Sequence, residues 1–160
     1  MKPLKRNSTG PQGPLTARAE IRGFEVVDLG PFLNNRNSVN AVNNLGQRAG
    51  SSLHEATGRV EAFLELAGTR MMLGTLGGSF SVARDINNRG EIVGGSLVEG
   101  NEHFHGFLYR NGKLTNLNDL IDSGSGWEVI QAVSINDHGE IIGVGSNLGE
   151  DRILLLRPRS

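Results

Sequence analysis

Val42-Asn43-Asn44-Leu45-Gly46, Ile86-Asn87-Asn88-Arg89-Gly90 and Ile135-Asn136-Asp137-His138-Gly139 are three versions of one phrase. Leu29, Leu73 and Leu117 follow one another at intervals of 44 residues. Self-similarity at a fixed period of this length marks a repeat architecture. Each phrase is also turn chemistry. Asn and Asp tolerate positive φ, and Gly adopts it without steric cost. Asn43, Gly46, Asn87, Asn88, Gly90, Asn136, Asp137 and Gly139 therefore read as structural turn residues shared by all units.

The same pattern extends from each turn. A strand leads in, and a second strand follows at 47–52, 91–96 and 140–145. A variable polar loop precedes a more apolar third strand at 62–64, 106–108 and 153–156. A short turn, Ala67-Gly68 or Asn111-Gly112, then leads to a fourth strand ending in Leu73 or Leu117. Asn-Gly between apolar runs is a strong hairpin signal. Gly50, Gly94 and Gly143 interrupt the second strands, where glycine marks a bulge or a close approach of backbone. Arg48 and Ala49 make the first unit less apolar than the other two.

The expected fold is all-β: three four-stranded meander repeats of about 44 residues, arranged as β-propeller-type blades. The alternative is a β-trefoil, which also uses three four-stranded units. The units run approximately over 30–73, 74–117 and 118–160, within one domain spanning 24–160. The third unit stops after its third strand. Residues 24–29 align with the strands ending at Leu73 and Leu117, so they are expected to supply the closing strand. Three units are few for one propeller, which suggests a homodimer completing a six-bladed ring, or a larger array.

Composition agrees with many short strands. Glycine is abundant at 23 residues, aromatics are few, and no window carries an apolar stripe at helical spacing. No run approaches the roughly 20 apolar residues of a membrane span. The net charge of -1 divides into +4 over residues 1–23 and -5 over 24–160. Pro3, Pro11, Pro14, Gly10 and Gly13 make 1–23 read as a disordered basic leader. Without interleaved aromatics it is a poor nucleic-acid binder. No apolar h-region follows the basic start, so no signal peptide is visible. The chain has no cysteine, which excludes disulfides, thiol nucleophiles and Cys-based metal sites.

Several phrases resemble the HAF repeat family of bacterial repeats, usually described as extracellular. Leu73-Gly-Thr-Leu-Gly-Gly78, the stretch 83–94 with its Ile-Asn-Asn-Arg-Gly core, and His105-Gly-Phe-Leu-Tyr109 carry the resemblance. It covers roughly 24–157. Glu61 replaces the histidine in the first unit, and the third unit lacks the His phrase. The resemblance implies propeller-like repeats and an extracellular setting, but no particular reaction.

The candidate sites lie where the repeat breaks. Five extra residues fall between Leu117 and Ile135, in the stretch 119–128. It holds Asp122 and Trp127, the expected ligand-binding residues. Trp127 suits a sugar- or partner-stacking platform, or a plug for the end of the barrel or channel. His103 and His105 would share a strand face, but no third metal ligand stands near them. The Asn, Asp and Glu of the turn phrases fall short of a calcium loop. Residues 74–79 are glycine-rich but lack the Lys-Ser/Thr ending of a phosphate loop. Asp85, Asp119, Asp122 and Asp137 are loop and turn carboxylates that a hydrolase would need in pairs. The reading is thus a non-enzymatic binding or scaffold module for a protein or glycan, without cofactor or metal. A lectin-like domain and a hydrolase are the alternatives.

Overall fold

The computed structural model describes residues 23–31 and 37–159. The three quoted phrases form three turns of one geometry. The first Asn N–H donates to the carbonyl four residues on: Asn43 to Gln47 at 3.0 Å, Asn87 to Glu91 at 3.0 Å, Asn136 to Glu140 at 3.1 Å. The closing glycine N–H returns to the Asn carbonyl at 3.1 Å each time. Gly46, Gly90 and Gly139 hold φ of 77°, 76° and 77°, the left-handed region where a Cβ is strained.

The architecture is all-β. β1 (Asn37–Val42), β2 (Arg48–His54), β3 (Arg59–Leu66) and β4 (Thr69–Gly74) form a first antiparallel meander. β5 (Gly77–Ile86), β6 (Ile92–Val98), β7 (Phe104–Arg110) and β8 (Lys113–Asn116) form a second. β9 (Trp127–Ile135), β10 (Ile141–Asn147) and β11 (Glu150–Leu156) form a third. A single parallel pair, Val60 with Phe80, joins the first two meanders into one sheet. The third is a separate sheet in which β11 is an edge. No closed barrel forms among the described residues.

One irregularity recurs. Asn40, Arg84 and Val133 are each skipped in the pairing of a first strand with its second. An extra residue of this kind bends the strand and increases its twist. It lies opposite a glycine, and the glycine is obligatory. A Cβ on Gly50 would lie 1.8 Å from Ser38 O, on Gly94 2.0 Å from Val82 O, and on Gly143 2.3 Å from Gln131 O. The strand glycines thus mark close approach, within the sheet.

Two apolar layers hold the meanders together. Ala49 and Ala62 of the first pack with Ala83, Ile86, Ile92, Phe107 and Tyr109 of the second. Val93 and Leu108, on the other face of the second, pack with Val129, Ala132, Ile135 and Ile141 of the third. Each fully buried large side chain contributes about 1.5–3 kcal/mol. Ser81 stitches the first junction, accepting from Ala62 N at 2.7 Å and donating to Gly74 O at 2.6 Å.

The chain divides into Met1–Gly30 and Pro31–Ser160. Within the first unit, residues 24–29 belong to no helix or strand, and Phe24 is exposed. The third meander has three strands among the described residues. Residues 1–22 of the expected basic leader lie outside the described residues, as do 32–36 and 160. Among the described residues no helix is long and apolar enough to cross a membrane.

Candidate ligand-binding groove

The repeated Asn and Asp side chains are engaged in the turns themselves. Asn43 Oδ1 accepts from Leu45 N and Gln47 N, while Nδ2 donates to Gln47 Oε1 at 2.7 Å and to Asn87 O at 3.0 Å. Asn87 repeats every bond: Oδ1 accepts from Arg89 N and Glu91 N, and Nδ2 donates to Glu91 Oε1 at 2.9 Å and Asn136 O at 3.0 Å. The second turn residues form a parallel chain, Asn44 N to Asn88 Oδ1 and Asn88 N to Asp137 Oδ1, both at 2.8 Å. Each turn is therefore bonded to the next.

These bonds set the electrostatics. The side-chain and backbone N–H groups of Asn88 hold the Asp137 carboxyl below its ordinary value. The Asn136 amide does the same for Glu140, against a smaller opposing effect of burial and with help from Arg157. An oxygen saturated by N–H donors is a poor cation ligand. Among the described residues no group of three His, Asp or Glu side chains is arranged to hold a metal. His103 and His105 are stacked, with ring centroids 6.3 Å apart. Both nitrogens of His105 are occupied: Asn116 Nδ2 donates to Nδ1 at 2.9 Å, and Nε2–H donates to Glu128 at 3.0 Å. In the 74–79 stretch, a Cβ on Gly78 would lie 2.5 Å from Leu97 Cβ, so that glycine serves packing.

The structure brings Asp122 and Trp127 to one open groove of about 680 Å³ between the second and third meanders. Its floor is the second apolar layer, including Leu108, Val129 and Ile141, and its rim carries Arg89, Arg110 and Arg157. Two short 3-10 turns, Leu117–Asp119 and Ser123–Ser125, carry the chain along the groove into the longer third connection. Asp122 caps the second turn, accepting from Gly124 N at 2.9 Å. Gly126, at φ 77°, then turns the chain into β9. Trp127 is thus the first residue of β9, opposite Asn147, rather than a loop residue. It is 38% exposed, so it edges the groove instead of plugging a core.

The other carboxylates are dispersed. Asp85 accepts from Ser134 Oγ and Ile135 N, both at 2.8 Å, tying the second meander to the third. Asp119 is exposed. A further cluster was not legible in the pattern: Glu65 bridges Arg48 at 2.6 Å and Arg70 at 2.7 Å. Burial pushes the Glu65 carboxyl up, but the bonds and charges of Arg70 and Arg48 outweigh it and hold it below its ordinary value. Arg70 also lies 3.8 Å over the Phe63 ring. Arg48 alone was visible as a break in pattern; Glu65 and Arg70 sit 17 and 22 residues further on.

Comparison with family models, with curated proteins and with solved structures finds no match for this chain.

Proposed function

We propose that this chain is a non-enzymatic β-repeat module of propeller type that binds its ligand in the groove edged by Trp127. The propeller reading rests on the stacked turns, which advance one meander at a time with identical bonds. The resemblance to HAF repeats points the same way and favours an extracellular setting. The carrying observation for binding is the groove itself: an apolar floor, one aromatic edge and a polar rim. Ligand sites commonly combine these features. Non-enzymatic action is favoured because Asp85, Asp122 and Asp137 each hold a turn or a junction.

A carbohydrate is the ligand class that Trp127 favours, since an exposed indole face offers a stacking platform for a sugar ring. A glycan array with the parent and Trp127→Ala tests this. Binding by the parent, weakened on the order of tenfold or more in the variant, is expected. Glycan-independent behaviour, or turnover of a glycoside substrate, would overturn the lectin form of the reading.

A further inference from the structure

The face that each meander offers to its successor is covered twice and bare once. Equivalent positions on the second and third strands are the pairs Ala49/Leu64, Val93/Leu108 and Ile142/Leu155. Ala49 and Val93 are fully buried, and Leu108 is 7% exposed. Ile142 and Leu155 are 48% and 50% exposed, and Ile153 on the same face is 84% exposed. Four apolar residues, counting Val144, thus face outward at positions built to be covered.

The hydrogen bonds break off at the same place. Asn136 Nδ2 donates to Glu140 Oε1. The second bond that Asn43 and Asn87 make, to the next turn's carbonyl, has no counterpart among the described residues. Among the described residues Asp137 N likewise lacks the acceptor that Asn44 N and Asn88 N possess. At the opposite end the matching acceptors stand ready: Asn43 O and Asn44 Oδ1 correspond to Asn87 O and Asn88 Oδ1. Beside them Val39 and Val42 are exposed, whereas their counterparts Ala83 and Ile86 are buried. Arg48, Glu65 and Arg70 also lie on this leading side. Glu65 pairs with both arginines, so the cluster keeps a net charge of +1.

We propose that a second copy of this chain seats its first meander on the bare face of the third, repeating the junction found twice within the chain. Strand order supports the same partner. β4 precedes β5 and pairs with the meander behind it; β8 precedes β9 in the same way. Residues 24–29 precede β1, and β11 has an unpaired edge. In the docked copy, 24–29 is the strand that fills that edge. Two such contacts close a ring of six meanders, within the range of known propellers. Each contact is head-to-tail, joining two different surfaces.

This inference rests on the propeller reading, and one set of measurements separates the two. Sedimentation equilibrium of the full chain should give twice the monomer mass. Ile153→Glu and Val42→Glu alter exposed residues at opposite ends, so far-UV circular dichroism should match the parent. Each should weaken dimerisation on the order of 100-fold, because each buries a carboxylate in an apolar contact. A strict monomer overturns the proposal, and so does a dimer lost in Ile153→Glu but intact in Val42→Glu, which would join two third meanders face to face. A monomer that still binds ligand in the groove would overturn the assembly alone.

Discussion

The second and third meanders share turn, bulge and strand glycine, yet they differ in what lies beyond them. In the second, Phe107 faces one neighbour, Val93 and Leu108 face another, and all are buried. In the third, Leu154 faces a neighbour while Ile142, Ile153 and Leu155 face solvent. The strands are set by local sequence and pairing. The burial of their outer face is set by whether another meander follows. A sheet of this kind has two faces and needs a packed neighbour to bury each of them.

Substitutions at equivalent positions should therefore have unequal effects. Phe107→Ala should destabilise the fold by about 3–5 kcal/mol, as for other buried aromatics. Leu154→Ala, only partly buried, should lose about 1–2 kcal/mol. Urea unfolding at one protein concentration gives both numbers. Equal losses would mean that the third sheet is packed as tightly as the second.

The turn asparagines should divide in the same way. Asn87→Ala removes four bonds and leaves the buried Glu91 N–H unpaired, so a loss of about 2–3 kcal/mol is expected. Asn136→Ala, in an exposed turn without a bond to a further turn among the described residues, should lose about 1 kcal/mol. Thermal unfolding of the two variants distinguishes a graded loss from a uniform one.

Acid should act at both ends of the array. Glu65 and Asp137 have folded-state carboxyls below their ordinary values of 4.5 and 3.8. Their contributions are complete above those values and vanish as pH falls through the lowered folded ones. Unfolding midpoints should thus drop on acidification below about pH 4.5. Asp137→Asn should flatten part of that slope while leaving the neutral-pH fold intact. Trp127→Ala should have the smallest effect on stability, within about 1 kcal/mol, because the indole sits at the groove edge.

Much of this organisation was legible in the chain. The Asn-Asn-x-Gly spacing, Asn-Asp-x-Gly in the third phrase, identifies the turns because positive φ is a local requirement. Gly50, Gly94 and Gly143 announce close approach because a strand otherwise disfavours glycine. The cross-sheet bonds of Asn43 and Asn87 were not legible, since the acceptor lies one whole period away. Nor was the start of β9: Gly126 had to be known as left-handed before Trp127 could be assigned to a strand. Residues 24–29 carry the pattern of a fourth strand but are assigned to no strand. Pattern states what a segment suits, while pairing requires a partner.

Leu108→Ala and Leu155→Ala offer the most direct test, because they delete the same atoms at the same register position. Urea unfolding should be followed at dilutions where the chain is monomeric. Leu108→Ala is expected to lose about 2–4 kcal/mol and Leu155→Ala less than about 1. Equal losses in the dilute monomer would contradict the account, for they would mean that the third meander's outer face is already covered within a single chain.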